Sequence, residues 1–343
     1  MSVATDTIIA KGVDSLYLYI DEGLPFSQLN ALFREYQFGD DFVYNGLRLT
    51  RAKAYLKTYP LSVRIGPFTL FVNATSAYIQ VSSLGFEMRG FQGVLYWLRD
   101  ILTILSRPPG AETQAIPWFD YLKVSRIDVF CDFVFNGDFN PDQFKSQLKR
   151  RGFFVSGKDE EGKTYYFGSR SLFCIRLYVK SAEIEHSQKT YLKADWKEKT
   201  GSEENRVWRL EFEFRKKKLE QIGPRALSVF DDTYLEILWQ YGIEQLQYMA
   251  RVAENRNLHK EQLHPIWKDL TKALGNEYII DLHQVKSCSL DYRYMMARKY
   301  MLSYYALKAE TYEDIPQEIL RMFKITEDEF NRVNITDVWK LPR

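Results

Sequence analysis

The chain has 343 residues, of which 45% are apolar and 27% charged. That composition excludes a disordered or fibrous protein and leaves length for one large domain or two of ordinary size. A formal net charge of only +2 argues against a uniformly basic nucleic-acid coat, while the 15% aromatic content suits strands and base-stacking surfaces alike.

No apolar run approaches the roughly 18 residues needed to cross a bilayer. Residues Met1 to Asp6 lack the basic start and apolar stretch of a secretion signal. Cys131, Cys174 and Cys288 are too few and too scattered for a disulfide framework or a four-thiolate zinc site. A cytoplasmic protein with no membrane partner is expected.

The patterning predicts an α+β fold: a central, largely antiparallel sheet with a helical C-terminal extension. Residues 1–122 read as the N-terminal α+β half. Ser15–Ile20 is a strand, and Ser27 is a cap for a helix from Gln28 to about Tyr36. Arg64–Val72 and Ala77–Ser82 read as paired strands around a polar turn. Over Gly93–Leu105 the apolar residues recur at helical spacing, with Pro108-Pro109-Gly110 just beyond.

Residues 123–220 form a second α+β half. Val124–Val134 is a long strand. Asn140 as cap, Pro141 as first helical residue and Gly152 as terminator predict a helix over Asp142–Arg151, then a short strand at Phe153–Val155. Lys158–Lys163 reads as a turn. Thr164–Gly168, Phe173–Lys180 and Val207–Arg215 read as strands, with a charged, loosely ordered stretch from about Glu183 to Asn205. Residues 221–343 favour helices at Ala226–Glu254, Glu261–Leu274, Leu290–Lys308 and Pro316–Phe323. Asp231-Asp232 and Asp291 are start signals. Leu16–Tyr36 and Ile127–Arg151 both read strand, loop, helix, an echo consistent with a duplicated core.

Charge is concentrated in the middle: residues 123–218 hold 21 Lys and Arg against 15 Asp and Glu, with clusters at Lys145–Arg151 and Arg215–Lys218. Solvated helix and loop ends account for such runs more often than a phosphate backbone does. Strand alternation adds a sharper signal. Asp128 and Asp132 share one strand face, as do Arg176, Tyr178 and Lys180 on a second strand and Arg209, Glu211, Glu213 and Arg215 on a third. The opposite faces are apolar. Cross-strand surface ion pairs are the ordinary explanation. Same-face carboxylate pairs on two strands are also how a sheet assembles an oxygen-rich site for a divalent cation. A tyrosine flanked by Arg and Lys meets the needs of phenol attack on a phosphodiester: a nucleophile, and positive charge for it and the phosphate oxygens.

These strands also carry a resemblance. Arg126-Ile127-Asp128-Val129-Phe130-Cys131-Asp132-Phe133, Gly162–Ser171, Ile175-Arg176-Leu177-Tyr178-Val179-Lys180-Ser181-Ala182-Glu183 and Val207–Phe214 are similar, in order and spacing, to four motifs of the Rep_trans family. That family comprises rolling-circle replication initiators of plasmids, filamentous phages and integrative elements. The resemblance covers about residues 124–220. It implies that Tyr178 nicks one strand at a DNA origin, leaving a 5′-phosphotyrosine and a 3′-OH primer. It implies Asp128, Asp132 and Glu211 as ligands of Mg2+ or Mn2+, with Glu213 behind them. Arg176, Lys180 and Arg209 would contact phosphate or hold the carboxylates, and Gly168 and Arg170 would shape the turn beside the nucleophile.

Origin DNA, single-stranded or supercoiled, is then the partner, with Lys149, Arg150 and Arg151 in the basic segment as further contacts. A homodimer and a host helicase follow from the resemblance alone. Two positions depart from the family pattern: Val179 stands where Asp or Asn is usual, and the Gly168–Tyr178 spacing is about one residue short. The initiator class with a His-hydrophobe-His metal motif is excluded, because His186, His259, His264 and His283 contain no such pair. The other Tyr pairs, Tyr165-Tyr166 and Tyr304-Tyr305, read as core or strand filler. The rival readings are a relaxase of an integrative or conjugative element, a non-catalytic DNA-binding relative, and a purely structural protein.

Overall fold

The computed structural model describes residues 8–53, 56–107, 121–156, 162–187, 189, 191–202, 205–251, 262–272 and 312–327. The fold is α+β, and its long sheets are antiparallel wherever strand register is defined. Two compact units are present: Met1–Ser15 with Ser125–Arg225 and Val229–Ile280, and Leu16–Val124 with Ala226–Ser228 and Asp281–Arg343. Strand β1 (Ile8–Ile20) contributes its first part to one unit and its last part to the other.

In the second of these units β1 is followed by α1 (Phe26–Arg34), β2 (Asp41–Tyr44), β3 (Leu47–Arg51), β4 (Leu61–Ile65), β5 (Phe68–Val72), β6 (Ala77–Val81) and α2 (Ser83–Ser106). The strands are ordered β2-β3-β4-β5-β6-β1. The span Arg64–Val72, read as one strand, is split by a tight turn in which Gly66 has φ +56°. Ser27 does not cap α1; its hydroxyl donates to the Ala74 carbonyl, and Pro25 occupies the cap position. Helix α2 starts ten residues before the predicted Gly93 and bends at Gly90, whose φ of +65° is not helical. Its buried stripe runs through Val94, Leu98, Ile101 and Leu105.

The other unit holds the four motifs. After β7 (Lys123–Val134) come β8 (Phe144–Ser146), β9 (Arg151–Ser156), β10 (Gly162–Ser169) and β11 (Phe173–Val179). Helices α3 (Lys180–Ser187) and α4 (Tyr191–Thr200), strand β12 (Val207–Arg215) and helices α5 (Lys216–Ile222) and α6 (Asp232–Glu244) follow. The run ends with β13 (Leu246–Arg251), β14 (Gln262–Leu263) and α7 (Pro265–Thr271). The strands are ordered β1-β7-β12-β11-β10-β9, and β14-β13-β8 form a small separate sheet.

Several expectations change here. No helix forms over Asp142–Arg151. Asn140 does cap, accepting from the Asp142 N–H, but only a single 3-10 turn at Pro141–Gln143 follows. Phe144 then turns inward against Phe139, Tyr165, Phe167 and Tyr248. That burial outweighs the local helix signal, so the echo of the N-terminal strand and helix stops at β7. The stretch from Glu183 to Asn205 is mainly helical, because Ile184, Leu192 and Trp196 pack on Ile9 and Val207. The single helix read over Ala226–Glu254 ends at Glu244 and gives way to β13. Asp231 caps α6 as expected, accepting from the Tyr234 N–H at 2.8 Å. The turn at Lys158–Lys163, except its last two residues, lies outside the described residues, as do the helix at Leu290–Lys308 with Asp291 and residues 108–110. Gln317–Phe323 is helical. Among the described residues no helix is long and apolar enough to cross a membrane.

The apolar faces of β11 and β12 are covered by α6. Gly242 lies so close to Phe212 that an added Cβ would sit 2.3 Å from the ring, and Trp239 packs on the same ring with centroids 4.7 Å apart. The polar face is buried too: β12 is enclosed along its whole length up to Phe214.

Candidate active site

Strand register places the site residues in rows. One row runs Asp132, Arg209, Tyr178, Thr164 and Phe154 across β7, β12, β11, β10 and β9. The next runs Phe130, Glu211, Arg176, Tyr166 and Gly152, and a third brings together Asp128, Glu213, Cys174 and Gly168. All side chains within these rows point to one face. The acids and the tyrosine that the sequence set on common faces therefore do share a face of one sheet.

The phenol of Tyr178 donates to Glu211 Oε2 at 3.3 Å. Arg176 pairs with the other oxygen of Glu211 and approaches Asp128 at 3.4 Å. Its Nε is buried and finds no acceptor among the described residues. Lys180 lies 5.7 Å from the Tyr178 ring centroid and pairs with Glu183 at 2.5 Å. Arg209 makes a forked contact to Asp132 at 2.6 and 2.8 Å and reaches Asp14 at 2.5 Å. The remaining acids are held by arginines as well: Asp128 by Arg126, and Glu213 by Arg215 at 2.6 Å and Arg126 at 3.2 Å.

A pocket of about 360 Å³ opens over Tyr178. Lys163, Arg176, Lys180 and Lys189 supply its positive charge, and Asp14, Glu183 and Glu211 its negative charge. Burial drives the Tyr178 phenol well above its ordinary value, and the neighbouring Glu211 charge adds to this. Burial also raises the Glu211 carboxyl. Asp128 is pushed up to about 8 by burial, against the opposing hydrogen bonds from Arg126. Burial alone would raise Asp14, but the charges of Arg209, Lys189, Lys180 and Arg176 hold it far below the usual carboxylate range. Burial lowers the Lys180 ammonium, helped by Arg209.

Of the nominated residues, Tyr178, Arg176, Lys180 and Glu211 line the pocket, whereas Asp128, Asp132, Glu213 and Arg209 lie beneath or beside it. Arg209 is 3% exposed, so it holds carboxylates rather than reaching outward to a phosphate. Arg170 sits over the Tyr166 ring at 5.0 Å. Lys149 and Arg150, between β8 and β9, and Arg151, the first residue of β9, are exposed, outside the pocket lining and not on a helix. Val179 is buried and pairs with Trp208, so its departure from the family pattern leaves the row of Tyr178 undisturbed. The shortened turn closes through Gly168, at φ +89°, and a Leu172 N–H to Ser169 carbonyl bond of 3.0 Å.

The donors do not fit a divalent cation as they are arranged. Each of the four nominated carboxylates is engaged by a guanidinium, three of them lie outside the pocket lining, and cations outnumber acids along it. Among the described residues no group of three or more His, Cys, Asp or Glu side chains is disposed to hold a metal ion. Sequence reasoning missed Asp14, Lys189 and Tyr166. Asp14 comes from β1, far from the motifs, and only the alternation of that strand could have pointed to it.

No family model matches this chain, and no curated protein matches it significantly. Among solved structures the chain is similar to a rolling circle replication initiator protein from Geobacillus stearothermophilus. The identity is 16% and the TM-score 0.46, over 77% of this chain and 95% of that one.

Proposed function

We propose that this protein nicks a single DNA strand through Tyr178 and holds the cut end covalently, the first step of rolling-circle replication. The observation that carries the reading is the Tyr178 phenol, hydrogen-bonded to Glu211 at 3.3 Å in a pocket lined by Arg176, Lys180, Lys189 and Lys163. The four motifs of the sequence support the same reading.

A phenol is a weak nucleophile until it loses its proton, and burial makes that loss harder here. Glu211 Oε2 is the base in reach, and burial raises its basicity. In the step, the Tyr178 oxygen bonds to phosphorus, its proton passes to Glu211 and the bond from phosphorus to the 3′-oxygen breaks. Lys180, an ammonium made more acidic by burial, supplies the proton that completes the 3′-OH. Arg176, Lys163 and Lys189 offset the charge that builds on the non-bridging phosphate oxygens. Origin DNA is the partner. No step is assigned to a metal.

The test is incubation with random-pool supercoiled and single-stranded DNA, with and without manganese, followed by a denaturing gel. A protein-linked oligonucleotide whose attachment maps to Tyr178 is expected. Tyr178→Phe should bind DNA with about the parent's affinity yet form no adduct. A non-catalytic DNA-binding protein would give salt-sensitive binding without any adduct, and attachment at another residue would remove Tyr178 from its role.

A further inference from the structure

The outermost strand of the Tyr178 sheet carries an unusual surface. Strand β9 is last in the strand order, yet Phe153, Phe154 and Val155 along it are exposed, Phe154 at 60%. Edge strands normally avoid such residues because bare apolar edges promote aggregation. Phe153 stacks on Tyr165, centroids 4.7 Å apart, on the face away from the nucleophile. Phe154 is on the nucleophile's face, since Thr164 pairs with Phe154 on one side and Tyr178 on the other. Two strand spacings put the two backbones about 10 Å apart.

The Phe154 ring leans across Gly152, where an added Cβ would stand 3.0 Å from the ring, and meets Tyr166 edge to face at 5.4 Å. Tyr166 itself lines the pocket, and the Arg170 guanidinium sits over its ring at 5.0 Å. An exposed phenylalanine, a half-buried tyrosine and an arginine thus form a short strip leading from the sheet edge into the cationic pocket.

Resting on the nicking reading above, we propose that Phe154, Tyr166 and Arg170 form a stacking platform for an unpaired base next to the scissile phosphate of a single DNA strand. Aromatic rings and a guanidinium plane offer π-faces that any base can use, and the lysines and arginine of the pocket receive the adjoining phosphates. A paired base within a duplex cannot reach such a strip, so the platform selects unpaired DNA. Two tyrosines adjacent in sequence are thereby separated in role: Tyr165 is buried with its hydroxyl on the Phe139 carbonyl at 2.5 Å, while Tyr166 faces the substrate.

The test compares the full-length protein with Phe154→Ala and Phe154→Trp. The probes are fluorescent oligo(dT)30, an abasic 30-mer and a 30-base-pair duplex at fixed salt. The parent is expected to bind oligo(dT)30 about 5- to 150-fold more tightly than the abasic strand, the range that stacking one base spans. Phe154→Ala should lose most of that ratio while keeping its affinity for the abasic strand, and Phe154→Trp should keep the ratio. The exposure of Phe154 lets both variants fold. If Phe154→Ala retains the parent's ratio and still forms the Tyr178 adduct, the platform is wrong and the nicking reading stands. If the parent binds no single strand and forms no adduct, both fall.

Discussion

Replacing Arg209 by methionine tests whether the buried charges beside Tyr178 are held as pairs. The guanidinium is 3% exposed and donates to Asp132 at 2.6 and 2.8 Å and to Asp14 at 2.5 Å. Methionine keeps most of the stem volume and removes the charge, leaving the buried Asp132 without its guanidinium. Breaking a buried pair in this way costs about 3–5 kcal/mol. Asp14 retains the charges of Lys189, Lys180 and Arg176, so Asp132 dominates.

Urea unfolding followed by tryptophan fluorescence measures the loss of stability in Arg209→Met relative to the parent. Adding Asp132→Asn to Arg209→Met should recover most of the loss. A gap below about 1 kcal/mol would refute the argument that Arg209 neutralises a buried acid.

Glu211→Gln should slow adduct formation by about 10²- to 10⁴-fold in single turnover, the usual contribution of a general base. The parent's rate should rise with pH through a value above the ordinary carboxylate range, because burial raises Glu211 and only its ionised form takes the proton; that limb should vanish in the variant. Gly168→Ala should lower stability by more than about 1 kcal/mol in thermal unfolding, since φ is +89° and the new Cβ would lie 2.4 Å from the Phe173 carbonyl oxygen.

Strand alternation was legible in β7, β11 and β12 because each of these strands is apolar on one face and bears charges on the other. Register could not be read, and register decides that Arg209 lies opposite Tyr178 while Glu211 lies opposite Arg176. The lost helix at Asp142–Arg151 shows local signals yielding to packing: the cap at Asn140 is real, but Phe144 gains more by joining an aromatic cluster than a helix would return. Helices α3 and α4 were hidden for the opposite reason. Their surfaces are highly charged, and only a few residues such as Ile184 and Trp196 anchor them. The acids that the family resemblance implies as metal ligands stand among arginines on the same face that pair with them. Asp14 was missed because the alternation of β1 marks its face but does not tie that strand to Arg209, nearly two hundred positions away.

Strand β11 passes into α3 with no intervening loop: Val179 ends one element and Lys180 begins the other. The helix therefore inherits its rotational phase from the strand. One extra residue at that junction would turn α3 by about 100° and carry Lys180 and Glu183, which both sit on it, away from the Tyr178 ring. This seam tolerates exchange of side chains far better than any change of length, and chains that share this chemistry are expected to keep its spacing even where the neighbouring hairpin grows or shrinks.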